Sequence, residues 1–140
     1  MKSFILSFVF LAVASAACAQ VTLNPEHISF IASPDHNAVL TDPDTNISTP
    51  ILDHYELSAV IPNALGTLMF TQGLGKPTPD ATNIISVAIP NPFIALLVKN
   101  TVYKAIVASV GSSGSTTSTP SNSFAEAAAP QAVSNAKVVK

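Results

Sequence analysis

The side chains that could do chemistry are few. Histidine occurs at His27, His36 and His54, and two of these follow an aspartate, as Asp35-His36 and Asp53-His54. A carboxylate that holds an imidazole in one tautomer can make that ring a general base. Neighbours along a strand point to opposite faces, however, so Asp53 is not expected to orient His54. Zinc would need three convergent ligands, and the histidines are scattered singly. They read as surface or loop residues. Gly-x-Ser-x-Gly and His-Glu-x-x-His do not occur. Gly73-x-Gly75-Lys76 lacks both the spacing and the hydroxyl residue of a phosphate-cradling loop. Cys18 is the only cysteine, which leaves no pair for a disulfide. No catalytic residue and no cofactor is assigned, and the chain is not expected to be an enzyme.

Among ions, calcium has the best case. Asp42-x-Asp44-x-Asn46 spaces three oxygen-bearing side chains at alternate positions, with Asp53 at the twelfth place. Yet Ile47 stands where such a loop needs glycine, an aspartate replaces the bidentate glutamate, and Pro43 stiffens the segment. The preferred reading is a plain polar loop, with Asp42, Asp44 and Asn46 kept as the calcium alternative. Asn46-Ile47-Ser48 is a glycosylation sequon if the source is eukaryotic.

The first residues belong to transport rather than to the fold. Met1-Lys2, the apolar run from Phe4 to Ala14 and the small residues Ala17-Cys18-Ala19 have the layout of a secretory signal peptide, cut before Gln20. The run is shorter than the roughly 18–20 residues that span a bilayer, so no membrane span is expected. A lipid anchor on Cys18 is the minor alternative, because Ser15 stands where a lipobox carries leucine. The mature chain is expected to be secreted, extracellular or periplasmic. The full sequence carries a net charge of −2 without a basic cluster, so nucleic acid is not an expected partner.

The elements that must position any site are strands. Short alternating runs recur between Pro, Gly, Asn and Asp, and no helix-length period appears. Residues 27–33 alternate, with Ile28 and Phe30 on one face. A proline- and aspartate-rich connection, 41–46, leads to a strand at 51–61, where Tyr55, Leu57, Ala59 and Ile61 share a face. A strand at 68–72 is closed by Gly73-Leu74-Gly75-Lys76-Pro77 as a loop. Further strands are expected at 84–89, at 101–110 and, beyond the turn Gly111 to Gly114, at 115–124, where Pro120 demands an edge position. The first strand, 21–23, is very short or missing.

The pattern from Leu97 to Gly111 resembles the sixth strand of a fibronectin type III module. Leu97, Thr101 and Tyr103 match its Leu-x-Pro-x-Thr-x-Tyr corner, with Lys99 in place of proline, and Tyr55-Glu56-Leu57 matches its third strand. The resemblance covers roughly Glu26 to Phe124. It implies an all-β, two-sheet antiparallel Greek-key sandwich, with an immunoglobulin-like variant as the alternative. It also implies a structural role for Tyr103, whose hydroxyl should bond back to upstream backbone. Tyr55 and Leu97 are expected in the core, and Phe30 should fill the volume of the family's missing tryptophan. The expected domains are a signal peptide at 1–19, the sandwich at 20–125, and a flexible tail or stray first-strand-like segment at 126–140. Pro130 to Val139 resembles the first strand of a following module, which could pair with an exposed edge in cis or on a neighbouring copy.

The function expected of such a chain is that of a secreted, non-catalytic binding or structural module contacting a protein or glycan. The alternative is an accessory or spacer domain of a secreted enzyme or virion-like assembly. Its binding loops would be 41–49, 73–80 and 111–115, with Asp42, Asp44, Asn46, Lys76 and Asp80 as candidate contacts.

Overall fold

The computed structural model describes residues 20–62 and 68–130, so the expected signal peptide and the segment 131–140 lie outside the described residues. In chain order the elements are β1 (Thr22–Leu23), β2 (His27–Ile31), β3 (Val39–Thr41), β4 (Ser48–Pro50), β5 (Leu52–Val60), β6 (Leu68–Gly75), β7 (Ile84–Ala88), α1 (Asn91–Leu96), β8 (Val102–Gly111), β9 (Gly114–Thr117) and β10 (Ser123–Ala125). The fold is all-β, built from one large sheet and two small ones. The large sheet runs β1-β10-β8-β5-β6, with β9 also on β8, while β2 pairs β7 and β3 pairs β4. All the ladders are antiparallel except β1 on β10.

Alternation explains which side chains go inside. Tyr55, Leu57 and Ala59 of β5 and Tyr103, Ala105 and Val107 of β8 are buried on one face of the large sheet. The β2–β7 ladder covers that face through Ile85, with Ile28, Phe30 and Val87 packed against the same cluster. Phe30 meets Tyr55 edge-on at 5.0 Å between ring centroids and stays half-buried, so the two rings together occupy the centre. Ser58 and Val60, on the opposite face of β5, are buried as well, and the Ser58 hydroxyl is bonded to that of Thr71 at 2.8 Å.

Two expectations of local structure are corrected and one is refined. The stretch taken as a loop from Gly73 belongs to β6 as far as Gly75, because a register shift between Tyr55 and Glu56 admits Gly75 at a φ of 70°. The connection at 41–46 forms the turn of a hairpin, with Leu40 opposite Thr49. The prolines after β7 begin a helix: Pro92 sits in the first turn of α1, where its missing N–H would have had no partner in any case. Six residues are too few to show a period, but Phe93 and Leu97, four apart, both reach the core.

Tyr103 secures the passage from α1 to β8. Its ring is 1% exposed, and its hydroxyl accepts the N–H of Val98 at 3.1 Å. Hydrogen bonding continues beyond β10 to Ala128. Asn24 and Asn100, both in the left-handed region that asparagine tolerates, accept the N–H groups of Ala127 at 2.8 Å and Ala128 at 3.0 Å.

Candidate binding surface

Register places the three expected loops at one end of the body. Leu52, at the start of β5, is opposite Gly111, so the β8–β9 turn lies beside it. Lys76 Nζ donates to the carbonyl of Leu52 at 2.8 Å, which brings the end of β6 to the same place. Ile51 N–H donates to Ala38 at 3.0 Å and closes the base of the β3–β4 hairpin one residue away. The Asp80 turn adjoins Ile84, which pairs with Ile31 at the end of β2. Gly111 is required at this crowded end, because a Cβ there would collide with the carbonyl oxygen of Ile51. Val39, Leu40 and Ile47 of the hairpin remain exposed, Leu40 at 71%.

The candidate contacts serve their own loops first. Asp42 Oδ1 accepts the N–H groups of Asp44 at 2.8 Å and Thr45 at 3.4 Å, and these bonds hold its carboxyl below the usual carboxylate range. Asn46 takes a φ of 54° and returns its N–H to the carbonyl of Asp42, while Asp44 is exposed. Asp80 Oδ1 accepts from Ile84 N–H, the Thr82 hydroxyl and Thr82 N–H at 2.9, 2.7 and 2.8 Å, which likewise lowers its pKa. Asp42 and Asp80 thus shape turns by side-chain capping of backbone donors. Among the described residues, no group of three or more His, Cys, Asp or Glu side chains is placed to hold a metal.

One reading of the histidines is sharpened and another corrected. His36 lies in the turn after β2, as a loop residue, yet it is buried, stacked on Tyr55 at 5.8 Å with its Nδ1 3.0 Å from the Tyr55 hydroxyl. Burial first, and the charge of Lys76 second, lower its pKa. Asp53 does orient His54, because a register shift between Leu52 and His54 breaks the alternation of β5. His54 Nδ1 is 3.2 Å from Asp53 Oδ2, and its Nε2 is 3.3 Å from Glu56 Oε1. The Glu56 bond, then the Asp53 bond, raise its pKa. When protonated, His54 donates from both ring nitrogens and bridges the two carboxylates. Asp-His-x-Glu was visible in the sequence; the bulge was not.

Comparison with known proteins finds no matching family model, no matching curated protein and no matching solved structure.

Proposed function

We propose that this chain is a secreted, non-catalytic binding or structural module with the Greek-key sandwich plan of fibronectin type III domains, and that it contacts a protein or glycan through its loop end. The observation that carries this reading is the convergence of the β3–β4 hairpin, the Lys76–Asp80 stretch and the Ser112-Ser113 turn at one end of a packed body. Rigid elements beneath self-braced polar loops are the usual platform for recognition. Leu40 and Ile47 add exposed apolar surface beside those polar groups, a combination typical of contact sites. The corner bond between Tyr103 and Val98 supports the family likeness.

The test is quantitative binding of the chain beginning at Gln20 to a glycan array and to surface proteins of its native surroundings. The double variant Leu40→Asp, Ile47→Asp should weaken any specific binding at least tenfold while leaving the melting temperature within a few degrees. Equal binding by parent and variant would move the site elsewhere. Turnover of a substrate, abolished by His54→Ala, would replace the reading with an enzyme. N-terminal sequencing of the exported protein should find Gln20 first; a lipidated Cys18 would indicate the anchored form.

A further inference from the structure

We propose that the free edge of β2 receives the segment 131–139 of a second copy of this chain as an added antiparallel strand, so that copies join head to tail. This rests on the binding-module reading above but concerns a different face of the molecule.

The edge is open in a specific way. β2 has β7 on one side and no strand of the described residues on the other. Ile89 N–H donates to Glu26, and Ala32 N–H donates to Asn83, so the even-numbered residues of β2 are the ones bonded to the β7 side. Antiparallel ladders alternate, and His27, Ser29 and Ile31 therefore turn their N–H and C=O groups away from β7. These are the donors and acceptors that an extended backbone satisfies. Beside them runs a cleft of about 560 Å³ with Tyr55, Ala105 and Val107 in its floor and Thr117 to Ser121 along its far wall. Ile31, at its rim, is 76% exposed.

The occupant is argued from pattern and direction. In 131–139, Ala132, Ser134, Ala136 and Val138 fall on one face of a strand, with Val133, Asn135, Lys137 and Val139 on the other. The first face is narrow enough to lie over Ala105 and Val107, and the second presents Asn135 and Lys137 to water. No proline interrupts the segment, so every N–H is available.

Direction selects a second copy over the chain's own segment. Ala127 and Ala128 are tied to Asn24 and Asn100, at the end where β2 begins. Antiparallel pairing must start at the other end, beside Ile31. The five residues of β2 cover about 17 Å. The three residues from Ala128 to Gln131 reach at most about 11 Å. Residues 131–139 of the same chain are therefore on the wrong end, whereas those of a neighbour stacked end to end arrive at the right one. Such a contact is heterologous and extends into open chains.

The test is sedimentation velocity over a concentration series for the chain beginning at Gln20, where the described body starts. That chain should grow in mass with concentration, while the same chain ending at Pro130 should remain monomeric. Ser29→Pro should abolish association at a near-native melting temperature, since the Ser29 N–H is not among those bonded to β7. Ile31→Lys is a second block, by charge on the edge. A synthetic peptide of residues 131–140, added to the shortened chain, should shift the Ser29 and Ile31 amide resonances and raise the melting temperature. Leu40→Asp should leave association unchanged, which separates this inference from the loop-end reading. A monomer at millimolar concentration, association that survives truncation or both edge variants, or protection of the Ser29 and Ile31 amides at monomer mass would each overturn it.

Discussion

The hydroxyl of Tyr55 lies 3.0 Å from Nδ1 of His36 and accepts the N–H of Ser33, also at 3.0 Å. While accepting from Ser33, that hydroxyl still has its proton to donate to Nδ1, an arrangement that suits the Nε2–H tautomer of His36. The bond joins the segment after β2 to the middle of β5, across the two layers. Tyr55→Phe should leave Ser33 N–H and His36 Nδ1 without this partner and cost about 1–3 kcal/mol. Denaturant unfolding gives the number, and a loss below about 0.5 kcal/mol would show that water replaces the hydroxyl.

The two displaced histidines should give opposite pH dependences. His54 has a raised folded pKa, so its contribution is complete below its ordinary value of 6.5 and is lost as pH rises through the folded value. His36 has a lowered folded pKa, so its contribution is complete above 6.5 and is lost as pH falls through the folded value. Urea midpoints between about pH 5 and 8 should lose their alkaline slope in His54→Gln and their acid slope in His36→Gln. Ring-proton titration by NMR should place His54 above His36; the reverse order would contradict the geometry.

Tyr103→Phe isolates the corner bond. Removing the acceptor of the Val98 N–H while keeping the ring should cost about 1–2 kcal/mol. Tyr103→Ala, which also empties core volume, should cost about 3–5 kcal/mol. If both variants lose the same amount in thermal unfolding, the hydroxyl dominates and the packing argument fails.

Glycines at two positions should respond in opposite senses. Gly111→Ala drives a methyl into the Ile51 carbonyl and should destabilise by about 1–3 kcal/mol. At Gly73 an added Cβ meets nothing within 4 Å, so Gly73→Ala should be neutral or stabilise by up to about 1 kcal/mol. Melting temperatures of the pair measure the contrast directly.

Asn100→Ala tests the lacing of the final described residues. Alanine resists a φ of 61° and cannot accept the Ala128 N–H, so a loss of about 1–2 kcal/mol is expected. Asn100→Gly restores the backbone freedom but not the acceptor and should lie between the two. An unchanged midpoint in Asn100→Ala would mean that Ala128 is held by other contacts.

Much of the fold was legible because strand periodicity is local. The run Tyr55, Leu57, Ala59 and the run Tyr103, Ala105, Val107 each show two-residue alternation, and both face the core. What escaped was nonlocal. The bulge at Asp53 depends on how β5 matches β8, and the extension of β6 through Gly75 depends on a register shift against Tyr55. α1 hid for the opposite reason, since six residues with Pro90 and Pro92 at their start carry too little pattern to register.

The candidate loops show the same division. Composition marked the segments around Asp42, Lys76 and Gly111 as turns, but separations of more than thirty residues say nothing about proximity. Strand order and register brought them to one end and gave Lys76 the distant carbonyl of Leu52, whereas Asp42 and Asp80 are spent on hydrogen bonds within their own turns. By itself the sequence determined that the chain is built of strands and which face of each central strand turns inward, because alternation is a property of neighbours along the backbone. Only the tertiary structure decided which loops meet, that His36 is buried, that His54 lies between two carboxylates and that no other strand of the described residues pairs with the outer edge of β2, because each depends on pairings between segments far apart in the chain.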